Sequence, residues 1–102
     1  MRIVVTPLPR ALHVRAVNDM DRPVQLFFND QHMWRLVLLD ESGRVLTYHI
    51  DHPARRSFWS HVLEPGQWFE AMFTNLPSGT FQARVDLLAE WVEPVLLERV
   101  TL

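Results

Sequence analysis

Residues 76–88 read "LPSGTFQARVDLL", and the alternation inside that stretch decides the fold. Phe81, Ala83, Val85 and Leu87 fall on one side of an extended chain, with Thr80, Gln82, Arg84 and Asp86 on the other. A period of two marks a strand with one face on a core, because successive side chains of extended backbone point in opposite directions. Pro77, Ser78 and Gly79 ahead of it are turn formers. The preceding stretch "LEPGQWF", residues 63–69, repeats the arrangement. There Pro65 presets φ near about −65° and Gly66 supplies the positive φ that a type II turn requires after it. The turn leads into Phe69, Ala71 and Phe73, which alternate with Trp68, Glu70 and Met72.

The same period extends through the rest of the chain. Leu12, Val14 and Ala16 alternate with His13, Arg15 and Val17; after the turn-forming residues 18–23 come Val24, Leu26 and Phe28. These two segments read as a β-hairpin. Residues 33–39 are apolar on both faces apart from Arg35, the pattern of a central strand covered on both sides or of a short helix. The turn at residues 40–44 decides for a strand, hairpinned to residues 45–50. Residues 51–56 form a polar connection broken by Pro53, and residues 57–63 a less regular strand. Leu87/Trp91 and Leu88/Val92 are four apart, so residues 87–93 have a helical alternative ended by Pro94. The last strand begins at Val95. At the other end, an extended segment is interrupted by Pro7 and Pro9, which reads as a first strand split between two sheets. Seven to nine short strands at this spacing predict an all-β protein, an antiparallel β-sandwich formed as one domain over residues 1–102.

Composition narrows the function classes. Of 102 residues 48% are hydrophobic, enough for a core without metal or disulfide staples, and cysteine is absent. Residues 3–5 fall far short of the apolar run of about 7–15 residues in a signal peptide, and no run reaches the roughly 20 of a membrane span. A cytoplasmic location and no membrane partner are expected. The formal charge is −2, and the arginines are scattered apart from Arg55 and Arg56, so no basic stripe exists for a phosphate backbone and nucleic acid is not expected as a partner.

Four segments, "VNDMDRPVQLFF", "WRLVLLDESGRVL", "FWSHVLEPGQWFEAMF" and "LPSGTFQARVDLL", follow one another in an order that resembles the BsuPI-like intracellular proteinase inhibitor family. The resemblance spans about residues 11–100. It rests on an Asn-x-x-x-x-Pro-Val step, an Asp-x-x-Gly-x-x-Val hairpin, a Leu-x-Pro-Gly-Gln turn and a Pro-x-Gly-Thr-Phe strand. It implies an immunoglobulin-like sandwich and an intracellular protein-binding role, in its specific form inhibition of a cytoplasmic serine protease. The alternative is a non-inhibitory structural or scaffolding interaction module.

The residues offer little chemistry beyond binding. There is no Gly-x-Ser-x-Gly elbow and no phosphate-binding glycine loop, so no enzyme activity and no cofactor are expected. His49, Asp51 and His52 match no recognised zinc spacing, and no metal is expected. Among the tryptophans, Trp34 is assigned to the core with Leu36 and Leu38. Trp59 and Trp68 are read on the less apolar faces of their strands, partly exposed and suited to a protein contact. Arg55 and Arg56, on the connection of residues 49–58, suit the carboxylate at the base of a trypsin-like pocket. The short first strand and the two tryptophans also suggest a homodimer through a sheet edge.

Overall fold

Period-two patterning becomes extended backbone throughout. The computed structural model describes residues 1–54 and 56–102, and among them lie nine strands and no helix. These are β1 (Arg2–Leu8), β2 (Ala11–Val17), β3 (Val24–Phe28), β4 (His32–Asp40), β5 (Val45–Asp51), β6 (Trp59–Leu63), β7 (Trp68–Phe73), β8 (Thr80–Leu87) and β9 (Val95–Thr101). All pair antiparallel, in the orders β1-β2-β7, β3-β6 and β5-β4-β8-β9. The four-stranded sheet is one layer of an immunoglobulin-like sandwich. The other two ladders together form the facing layer, as Val17 pairs with Trp68 and Val24 with Leu63.

Between the layers lies one core. Leu12, Val14 and Ala16 of β2, Leu26 and Phe28 of β3, and Leu63 and Phe73 meet Trp34, Leu36 and Leu38 of β4 and the alternating set Phe81, Ala83, Val85 and Leu87 of β8. Trp34 is thus placed with Leu36 and Leu38 as its sequence context predicts.

Two expectations are corrected. First, β2 and β3 are not a hairpin, because buried Asn18 holds the chain between them in another shape. Its Nδ2 donates to the carbonyls of Arg22 (2.9 Å) and Leu63 (2.8 Å), and its Oδ1 accepts from the Met20 N–H. Its backbone completes the link: Asn18 N–H donates to Gln67 and its carbonyl accepts from Gly66 N–H. The two turns are therefore fastened to each other, and β2 turns to β7 while β3 turns to β6. Second, β1 is not split between sheets but forms a hairpin with β2. The turn places Arg10 at φ 54°, and the Leu76 segment holds it there through Arg10 Nε to the Leu76 carbonyl and Leu76 N–H to the Arg10 carbonyl. Pro7 lies in an edge strand, where a missing N–H is tolerated. The helical alternative for residues 87–93 is not taken. Leu88 N–H donates to Met33 and Glu90 N–H to Phe27, committing the amides to neighbouring segments.

The β4–β5 hairpin forms as the sequence predicts. Asp40 organises its turn by accepting from the Ser42 hydroxyl and from the amides of Ser42 and Arg44. Those bonds, the Ser42 hydroxyl foremost, hold the Asp40 carboxyl below its ordinary pKa. At the Leu63–Trp68 junction Gln67 N–H donates to the Glu64 carbonyl across a turn in which Gly66 has φ 80°. No atom stands within 4 Å of where a Cβ on Gly66 would be, so only backbone strain opposes a side chain there. Gly66→Ala is expected to lower stability by about 1 kcal/mol in urea titration. An unchanged midpoint would contradict the type II geometry.

Candidate protein-binding face

Direct cross-strand partners share a face of a sheet, so the register assigns the surface. On the outer side of β1-β2-β7 the rows are Arg2–Val17–Trp68, Val4–Arg15–Glu70 and Thr6–His13–Met72. The indole of Trp68 is 56% exposed and Met72 43%. Arg15 links the first two rows. Its guanidinium carbon lies 5.3 Å from the Trp68 ring centroid, and its Nη2 is 3.7 Å from Glu70 Oε2. Glu70 Oε2 also accepts from His13 Nε2 at 2.8 Å. Trp68, Arg15, Glu70 and His13 form a chain of contacts that limits the freedom of the exposed indole. Limiting that freedom lowers the ordering cost of a contact made through it.

The other residues singled out from the sequence are dispersed. Arg55 lies outside the described residues. Arg56 is exposed, and its carbonyl accepts from Nε2 of the buried His52 at 2.9 Å. That bond closes the connection between β5 and β6 on itself. Trp59 does not lie on the outer face: it is half-buried and packs against the core in a column of rings. The column stacks His52 on Trp59 (5.2 Å between centroids) and Trp59 on His61 (5.3 Å), with Phe28 5.4 Å from Trp59 and Phe69 edge-on to His61. The outer face of β6 carries Ser60 and Val62, with Phe58 just before the strand and against Phe27.

His49 and Asp51 share the outer face at the end of the β4–β5 hairpin, where His32 Nδ1 donates to Asp51 and the rings of His32 and His49 stack at 4.2 Å. His52 turns inward, away from them. Among the described residues no group of three or more His, Cys, Asp or Glu side chains converges as metal ligands.

Sequence reasoning missed Trp91. It is 96% exposed with φ 68°, at a turn between β8 and β9 that Asn29 Nδ2 steadies by donating to Glu90 Oε1. The flanking Glu90, Glu93 and Pro94, which make a poor helix end, are the signal that could have placed it in a turn.

No helix among the described residues is long and apolar enough to cross a membrane. No protein-family model and no curated protein sequence matches the chain. Among solved structures it is similar to a crystal structure from Bordetella pertussis provisionally assigned as an ApaA protein. The two are 20% identical with a TM-score of 0.51, over 99% of this chain and 92% of that one. At that identity the likeness is one of fold.

Proposed function

We propose that this chain is an intracellular protein-binding domain, located in the cytoplasm, that engages its partner through the outer face of β2 and β7 with Trp68 as anchor. The observation that carries the reading is an exposed indole held in place by Arg15 on a regular strand. Tryptophan and arginine dominate binding hot spots, because a large ring or a planar cation buries much area with few rotors to order. The specific partner we infer is a serine protease, on the strength of the sequence resemblance to the BsuPI-like inhibitors.

Two contacts are available to such an inhibitor, and the closed form of one of them favours the other. A substrate-like segment must lie extended so that its backbone can pair with the enzyme groove. The connection carrying Arg56 is instead closed by the His52 bond to its carbonyl. Trp68 is the better anchor. Titration against a panel of subtilisin-like and trypsin-like proteases tests both. Trp68→Ala is expected to weaken inhibition by about 30-fold, or about 2 kcal/mol, and Arg56→Ala by no more than a few-fold. The reverse order would move the contact to the loop. Inhibition of no protease by the wild type would leave the non-inhibitory interaction module.

A further inference from the structure

The apolar outer side of β4 is left without a cover by the described residues. Val37 and Leu39 stand on the outer face of the four-stranded sheet, between Val45 of β5 on one side and Arg84 and Gln82 of β8 on the other. Leu96 of β9 extends the row beyond Arg84. Solvated faces of antiparallel sheets ordinarily alternate to polar residues. Here Val45 is 60% and Leu96 70% exposed, and Val37, Leu39, Gln82, Arg84, Leu96 and Glu98 line a shallow groove of about 530 Å³. The sequence of β4 is that of a strand covered on both sides, whereas the described residues cover only one.

We propose that this face pairs with the same face of a second copy of the chain. The charges along it are self-complementary. Arg35 and Arg84 share one carboxylate, Asp86, at 3.1 and 3.2 Å, which leaves that part of the face one positive charge in excess. Glu98 lies two residues beyond Leu96 and makes no ion pair among the described residues. A two-fold axis lying in the contact plane through Leu96 sets the two Leu96 side chains against each other. The same axis places Arg84 of each copy opposite Glu98 of the other. Such an isologous arrangement uses one patch twice. It lies on the opposite side of the sandwich from Trp68, so both contacts can be made at once.

The size of the face limits the strength. Four strands about 4.8 Å apart and about five residues long at about 3.4 Å each give a flat area of roughly 300 Å² per copy. That is below the roughly 800 Å² per partner of a standard stable interface, so the dimer is weak and concentration-dependent.

Analytical ultracentrifugation of the full chain from about 10 μM to 1 mM is the test, with half-association expected on the order of 100 μM. Leu96→Asp, a change at an exposed position, is expected to shift association at least tenfold toward monomer. Arg84→Glu and Glu98→Arg are each expected to weaken it at least fivefold, and the double exchange to restore it to within about twofold of wild type. Concentration-dependent amide shifts in NMR should centre on residues 37, 39, 84 and 96. A monomer at 1 mM would overturn the proposal. So would a dimer indifferent to Leu96→Asp, a double exchange that fails to restore association, or shifts centred on Trp68 or on a sheet edge. Since Arg84 also bonds Asp86, circular dichroism confirms that each variant is folded. Should Arg84→Glu not fold, Leu96→Asp and Glu98→Arg decide the matter alone.

Discussion

Trp34→Ala is expected to lower the stability of the domain by about 3–5 kcal/mol, read as a large fall in the urea midpoint. Trp34 is fully buried near the start of β4, opposite Leu87 on the core side of the central pair β4–β8, with Phe69 edge-on at 6.0 Å from the facing layer. It bridges the two halves of the sandwich. Truncating a buried tryptophan costs about 3–5 kcal/mol, from lost transfer energy and from a cavity that the strands cannot collapse to fill. Domains of this size have about 5–15 kcal/mol in total. Trp34→Phe separates shape from polarity. The indole Nε1 of Trp34 is buried and finds no acceptor among the described residues, and a donor left in that state costs about 1–3 kcal/mol. Phenylalanine removes that donor while retaining a ring against Phe69. Its loss in a urea titration is therefore expected to stay below about 2 kcal/mol. Equal losses for the two variants would mean that the N–H has a partner.

The second large effect belongs to a polar residue. Asn18→Ala is expected to cost about 2–4 kcal/mol, because it removes three side-chain hydrogen bonds, the one to the Leu63 carbonyl at a buried site. Asn18→Asp should be no better. The two carbonyls of Arg22 and Leu63 require donors, and a carboxylate supplies none. By contrast Asp19→Ala, one residue on and exposed, is expected to change the urea midpoint little. If Asn18→Ala were as mild as Asp19→Ala, the two turns would not be fastened through this side chain.

Local backbone structure was legible in the sequence; partner choice between strands was only partly so. Alternation located β2, β7 and β8, and the Asp40–Arg44 turn and Gly66 behaved as their residue types demand. The pairing of β2 with β7 and of β3 with β6 was hidden, because Asn18 reads equally well as an ordinary turn former and as a buried cross-link. Only its burial distinguishes the two. Likewise Pro7 is compatible with a break or with an edge strand, and the edge became visible only once β1 was paired on one side.

The candidate site shows the same division. Trp68 and Arg15 are readable as outward-facing because their strands alternate cleanly. Residues 58–63 do not: Phe58, Ser60 and Val62 are about as apolar as Trp59, His61 and Leu63, so the sequence cannot say which set faces the core. Trp91 was missed for a different reason. Its four-residue spacing from Leu87 left a helical alternative open, and only the amide bonds of Leu88 and Glu90 to other segments close it.

The fastening of the two turns by Asn18 also governs the order in which the molecule assembles. The β1–β2 and β4–β5 hairpins join residues close in sequence and can close early. The β2–β7 ladder instead joins Leu12 to Phe73, and the β3–β6 ladder joins Val24 to Leu63. Both must wait until the intervening chain has looped back, with the loop entropy spent before any contact returns it. Asn18 and its acceptor on Leu63 lie where the two ladders adjoin, beside the Val17–Trp68 and Val24–Leu63 pairs. The search for native topology is therefore slow, in the range of milliseconds to seconds typical of all-β sandwiches, and the Asn18 bonds are a late event on the way to the native state.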